Sequence, residues 1–212
     1  MPELPEVETV VRAVRPRIRG KRIREVRIHD PKLNSRKLAQ LSTRVAEVRR
    51  HGKYIIWDLE SGDSLVIHLR MTGNLVWVQR KNQKALGGAI INHSLADGSV
   101  IRPRCEFLCE GGSVLFADTR RFGTVELLSA AQVEKLPGVD PFGGQFSESV
   151  FLQILATSQR SSRSQPIKPW LLRQDKVAGI GNIYASEILF DAKINPQRTV
   201  TSISKAEARR LF

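Results

Sequence analysis

The first residues carry a helical stripe. Leu4, Val7, Val11 and Val14 recur every three or four positions, the spacing of one apolar helix face. This predicts a helix over residues 3–14. Pro5 fits a first turn, and Glu3, Glu6 and Glu8 suit the positive end of the helix dipole. Pro16 and Gly20 are expected to end it.

From Ile23 to Leu128 the pattern changes to short β-rich runs separated by turn residues. Strands are expected at Ile23–His29, Val45–Arg50, Tyr54–Leu59, Ser64–Leu69, Leu75–Gln79, Glu106–Cys109, Ser113–Ala117 and Thr124–Leu128. Ser61-Gly62-Asp63 and Gly111-Gly112 read as hairpin turns. Lys81–Pro103 is polar and poorly patterned, and reads as a long loop. Residues 136–147, rich in Pro and Gly, read as a hinge linker. Beyond them helices are expected at Glu148–Ala156, Pro169–Lys176, Ile183–Ala192 and from Lys205 onward, with Ser161–Ser164 a flexible basic run. The fold class is therefore α+β in two domains. An N-terminal helix plus antiparallel β-sandwich (1–135) is followed by a helical domain (148–212).

Composition adds one strong constraint. The 212 residues carry a formal net charge of +13, and residues 151–212 alone hold ten Lys/Arg against four acids. A folded protein this basic is expected to meet a polyanion, because each phosphate it neutralises releases condensed counterions. No stretch approaches a membrane span and no secretory signal is visible. Cys105 and Cys109, alone, cannot build a disulfide framework or a four-ligand metal site, so both are read as structural thiols in a reducing cytoplasm.

The candidate chemistry sits at the start of the chain. With Met1 removed, Pro2 becomes a secondary amine whose ordinary pKa, about 7.7–8, leaves some free base at neutral pH. Such an amine can attack a sugar's anomeric carbon and form an iminium. Glu3 and Glu6, within one helical turn, can move the protons. A Met-Pro start and an acidic first turn also occur for plain helix-forming reasons, so Pro2 alone decides little.

Longer motifs decide more. Met1–Val10, His51-Gly52-Lys53-Tyr54, His68–Gly73, Asp118–Gly123 and Val177–Ala185 occur in the order found in bacterial formamidopyrimidine-DNA glycosylases. The chain resembles that family across nearly its whole length. Leu4 favours the purine-directed branch over endonuclease VIII, which typically has Gly there. The resemblance implies base-excision repair of double-stranded damaged DNA. The expected enzyme is a bifunctional glycosylase for 8-oxoguanine and formamidopyrimidines, with abasic-site lyase activity by β,δ-elimination through an iminium at Pro2. It implies Glu3 and Glu6 as proton carriers and Lys53 as a phosphate contact beside the damaged nucleotide. Met71, Arg120 and Phe122 would fill the void left by the extruded base, with Arg121 beside them. Lys168, Gly181 and Asn182 would hold phosphate around a helix-two-turns-helix motif.

The pattern departs from the family at three places. Thr119 stands where Pro is usual, the 81–103 segment is enlarged, and the two close cysteine pairs of the family's structural zinc finger are absent. The expectation is a chain that stops short of that finger, with weakened glycosylase activity and lyase activity the last to disappear. It implies no metal, no small-molecule cofactor, no membrane, and a monomer in the bacterial cytoplasm with the nucleoid. Two rivals stand beside this reading. One is a catalytically inactive damage-binding remnant on the same fold. The other is a ribosomal-type RNA binder, which accounts for the charge but not for the N-terminal motif.

Overall fold

The computed structural model describes residues 1–33, 35–79, 93–94, 100–160 and 165–212, with backbone only at 93, 94 and 100. The chain divides into two compact units, 1–50 with 54–135, and 51–53 with 136–212.

The first unit opens with helix α1, Leu4–Ile18, which buries Leu4, Val7, Val11, Val14 and Ile18. The stripe thus continues one turn past Val14, and the helix runs two residues beyond Pro16 rather than stopping before it. Pro16 removes the N–H that would bond the Arg12 carbonyl. Burying Ile18 completely contributes about 1.5–3 kcal/mol, enough to offset that loss so close to the helix end. Gly20, at φ 73°, then turns the chain into the sheet, its N–H donating to the Val45 carbonyl at 2.7 Å.

The sheet strands are β1 (Arg22–Ile28), β2 (Thr43–His51), β3 (Tyr54–Leu59), β4 (Asp63–His68), β5 (Gly73–Gln79), β8 (Pro103–Cys109), β9 (Gly112–Asp118) and β10 (Thr124–Ser129). They pair in the order β10-β4-β3-β2-β1-β8-β9-β5. Every expected strand is present, shifted by no more than three residues at either end. Within the segment expected as a loop, β6 (His93–Ser94) pairs antiparallel with β7 (Val100–Ile101); most of the remainder lies outside the described residues. The tight turns at 60–62 and 110–111 follow the expected glycines, Gly62 and Gly111, both at positive φ.

Alternate residues of the two halves of this ribbon enter one core. Ile55, Trp57, Leu65 and Ile67 from β3 and β4 share it with Phe107, Val114 and Phe116 from β8 and β9. Trp57 meets Phe107 edge-on at 5.0 Å between ring centroids, which makes the unit a sandwich. Cys105 and Cys109 lie in the same core on one face of β8. Short helices α2 (Arg36–Ala39) and α3 (Ala130–Val133) complete the unit.

The second unit contains α4 (Glu148–Gln159), α5 (Ile167–Leu171), α6 (Asn182–Asp191) and α7 (Lys205–Leu211). Phe151, Leu155, Ile167, Trp170, Leu171, Ala185 and Leu189 are among its core residues. Helix α5 ends five residues earlier than expected. Beyond it Gln174 takes the backbone into turns, its amide donating to the carbonyls of Leu172 and Ile180 at 2.9 and 2.8 Å. Residues 136–147 are not a free linker. Val139 pairs with Val177 in a parallel bridge, and Asp140 is buried. The basic run 161–164 lies outside the described residues.

Candidate nucleic-acid interface and catalytic N-terminus

The start of α1 brings Pro2, Glu3 and Glu6 together. Glu3 is the N-cap, and its carboxylate accepts from the Glu6 N–H. Glu6 reciprocates, its Oε2 accepting from the Glu3 N–H at 2.9 Å. This capping box fixes both carboxylates within one turn of Pro2. Glu3 is buried, Glu6 is exposed and Pro2 is partly exposed. One carboxyl is thus shielded from water beside the candidate amine, and a second is open to it. On the same helix Glu8 bridges Arg12 and Arg50 at 2.9 and 3.1 Å. Partial burial opposes ionisation of Glu8, but the two guanidinium groups outweigh it and hold its pKa below the usual carboxylate range.

Two turns of the first unit carry the expected void-filling residues. Met71 lies between β4 and β5, and Arg120 and Phe122 lie between β9 and β10. Met71 is 43% and Phe122 53% exposed, so neither is a core residue. The Arg120 guanidinium stacks over the Phe122 ring at 5.0 Å. Thr72 straps the turns together. Its hydroxyl hydrogen-bonds Asp118 Oδ1 and accepts the Arg120 N–H at 3.1 Å.

Beneath these turns lies a buried ion cluster that sequence reasoning missed. Arg104 donates from Nε to Asp30 Oδ2 at 2.7 Å and from Nη1 to Asp118 Oδ2 at 3.1 Å and to the Gly123 carbonyl at 2.6 Å. Asp118 Oδ2 also accepts the Gly123 N–H at 2.7 Å. Arg121 caps the cluster from outside through both oxygens of Asp30. Arg121, expected among the DNA-binding residues, thus pairs with Asp30 here. Hydrogen bonding from Arg121, and then from Arg104, holds the Asp30 pKa well below the usual range against the cost of burial. For Asp118 burial is the largest influence and opposes ionisation, but Thr72, the Gly123 N–H and Arg104 together lower its pKa.

The second unit gathers the remaining candidates. Lys53 is only 5% exposed, so it is not an ordinary surface lysine. Its turn is anchored from one side by Asp140, whose Oδ2 accepts the Gly52 N–H at 2.7 Å. The Pro137 carbonyl lies 3.1 Å from His51 Nε2. Gly52, at φ 54°, sits so close to the 178–179 backbone that a Cβ there would lie 2.7 Å from the Ala178 Cβ. Gly179, at φ 99°, donates its N–H to Gln174 Oε1 at 3.0 Å. Gly181 caps α6, and Asn182 is its exposed first residue. Lys168 Nζ donates to Ser186 Oγ at 2.9 Å, which in turn donates to the Asn182 carbonyl at 2.9 Å, so the ammonium lies along the first turns of α6. Lys53, Gly181, Asn182 and Lys168 thus belong to one unit. Asp140 and Gln174, which hold its turns, carried no sequence motif.

Among the described residues no helix is long and apolar enough to cross a membrane, and no cluster of His, Cys, Asp or Glu could hold a metal ion. The cysteines do not fit the family's structural zinc. Both are buried in the sandwich core, where burial pushes each thiol up to about 12.

Fold and site together define a DNA-processing architecture: a proline-led helix on a β-sandwich, then a helix-two-turns-helix unit. Two family models match the chain. The formamidopyrimidine-DNA glycosylase N-terminal domain covers residues 1–125, and the formamidopyrimidine-DNA glycosylase H2TH domain covers residues 138–212. The formamidopyrimidine-DNA glycosylase of Moorella thermoacetica is 38% identical over 219 residues, spanning all of this chain and 74% of the relative. That of Heliobacterium modesticaldum is 36% identical over 223 residues, with 75% of its length covered. A solved Lactococcus lactis Fpg complex with abasic-site DNA matches with a TM-score of 0.78 at 30% identity, covering 99% of this chain and 73% of that one. A Lactococcus lactis complex with Fapy-dG DNA matches at 0.79 and 30%, covering 99% and 75%. The chain belongs to the formamidopyrimidine-DNA glycosylase family.

Proposed function

We propose that this chain is a base-excision repair enzyme, a DNA glycosylase for oxidised purines with abasic-site lyase activity. The observation that carries the mechanism is the capping box at Glu3 and Glu6, which sets two carboxylates of different exposure beside Pro2. Removal of the exposed Met1 leaves the Pro2 nitrogen as a secondary amine.

That nitrogen bonds to C1′ of the damaged nucleotide as the bond from C1′ to the purine breaks, and the base leaves with a proton. The amine's own proton is lost. The C1′–O4′ bond then opens with a proton delivered to O4′, leaving a C1′=N⁺ iminium. Glu3, shielded from water, suits that delivery, and Glu6 exchanges protons with solvent. The iminium acidifies C2′–H. Loss of that proton expels the 3′ phosphate, and loss of the C4′ proton expels the 5′ phosphate. Water releases the sugar remnant and restores the amine. No redox or nucleotide cofactor enters this sequence.

Lys53, Lys168, Gly181 and Asn182 would hold phosphates. Met71, Arg120 and Phe122 would occupy the void left by the extruded base. The Lactococcus lactis relatives were solved with abasic and Fapy-dG DNA, which supports damaged duplex DNA as the partner. We place the protein as a monomer in the bacterial cytoplasm, with the nucleoid.

The test is a duplex carrying one 8-oxoguanine. Release of the free base together with a one-nucleoside gap bearing phosphate at both ends supports the reading. Tight binding with neither base release nor strand scission would leave only a damage-binding role.

A further inference from the structure

We infer that Arg104 is a positioning residue: through Asp30 and Asp118 it mounts the two turns that carry Met71, Arg120 and Phe122, so that they enter DNA as one rigid probe. This rests on the repair reading only in taking those three side chains to be the part that enters the duplex.

Arg104 is 5% exposed, and its partners Asp30 and Asp118 are equally buried. Three charges withdrawn from water are costly unless each is matched by hydrogen bonds. Here the matching groups belong largely to the DNA-facing turns. One Arg104 nitrogen holds both the Asp118 carboxylate and the Gly123 carbonyl. Asp118 then holds the Gly123 N–H and the Thr72 hydroxyl, and Thr72 holds the Arg120 N–H. The chain of contacts therefore passes from the guanidinium to the residues flanking Met71 and Phe122.

Packing closes the mount from another side. A Cβ at Gly123 would lie 2.6 Å from the Phe116 ring and 2.9 Å from the His68 carbonyl. Arg104 itself stacks on Phe116 at 5.5 Å. The turns thus have little room to slide. Arg121, at φ 57°, points its guanidinium back to Asp30 and seals the cluster on the solvent side. A simple surface loop needs none of this. Two turns that must push side chains into stacked bases together need a fixed spacing, because a displacement of about 1 Å is enough to spoil a working geometry.

The test compares wild type with Arg104→Met and with Val114→Ala, a β9 core variant that controls for general loss of stability. Amide hydrogen exchange reads the mount without DNA. A duplex with a tetrahydrofuran abasic analogue opposite 2-aminopurine reads void filling without catalysis. Arg104→Met should raise exchange at Arg120 and Gly123 at least tenfold and cut the binding-induced change in 2-aminopurine emission at least by half. Val114→Ala should do neither at a matched melting temperature. Should Arg104→Met not fold, Thr72→Val, outside the buried charges, should reproduce both effects.

Unchanged exchange at both amides overturns the mount. Raised exchange with full 2-aminopurine response overturns its role in void filling. Raised exchange where even wild type gives no 2-aminopurine response places the failure in the repair reading and overturns the DNA role assigned to these turns.

Discussion

Asp140 Oδ2 accepts the Gly52 N–H at 2.7 Å, joining positions 88 residues apart. Asp140 also accepts the Phe142 N–H through Oδ1 at 2.9 Å. One buried carboxylate therefore shapes the turn that presents Lys53 and the segment that leads into the helical unit. Asp140→Ala leaves both donors without this acceptor, at about 1–3 kcal/mol. Urea unfolding should show that loss, with Asp140→Asn milder because an amide oxygen can still accept. Affinity for abasic-analogue DNA should fall with the same ranking.

Gly52 and Gly62 both lie at positive φ but differ in surroundings. A Cβ at Gly52 meets Ala178 at 2.7 Å, whereas one at Gly62 meets nothing within 4 Å. Gly62→Ala should cost about 1 kcal/mol from backbone strain alone. Gly52→Ala should cost clearly more, because the 178–179 turn must also shift. Thermal unfolding of the two variants under one buffer measures the difference.

Phe122→Ala should separate stability from binding. The ring is 53% exposed, so its loss should leave unfolding free energy within about 0.5 kcal/mol of wild type. Stacking on a base is worth about 1–3 kcal/mol, so affinity for the abasic-analogue duplex should drop by about 5- to 150-fold. Fluorescence titration at fixed salt checks it.

The lowered pKa values of Asp30 and Asp118 set an acid limit. Both groups bind protons less readily folded than unfolded. Their stabilisation is complete above the unfolded carboxyl value near 4 and is lost as pH falls further. Unfolding free energy should therefore hold between pH 7 and about 5 and decline below about 4. Asp30→Asn should be less stable at pH 7 and show a shallower acid decline.

Much of this was legible in the sequence, and the reasons are local. Tyr54–Leu59 is bounded by turn residues and starts and ends as read. The exposed Met71 and Phe122 sit beside glycines that place them at turns. Pairings distant along the chain were not legible. Asp30, Arg104 and Asp118 lie in three separate segments, and nothing near any of them signals its partner. Asp140 sits in a Pro/Gly stretch whose composition reads as linker, although its carboxylate fastens that stretch down. Pro16 misled for a related reason, since its cost is local and the burial of Ile18 that outweighs it is tertiary.

In the proposed mechanism Pro2 attacks the sugar. Borohydride reduction of the protein on an abasic-site duplex, followed by peptide mapping of a preparation with Met1 verified as removed, tests it directly. One covalent adduct is expected, on the N-terminal peptide at Pro2, abolished when Met1 is retained. An adduct on a lysine, or none while the DNA remains bound, would contradict it.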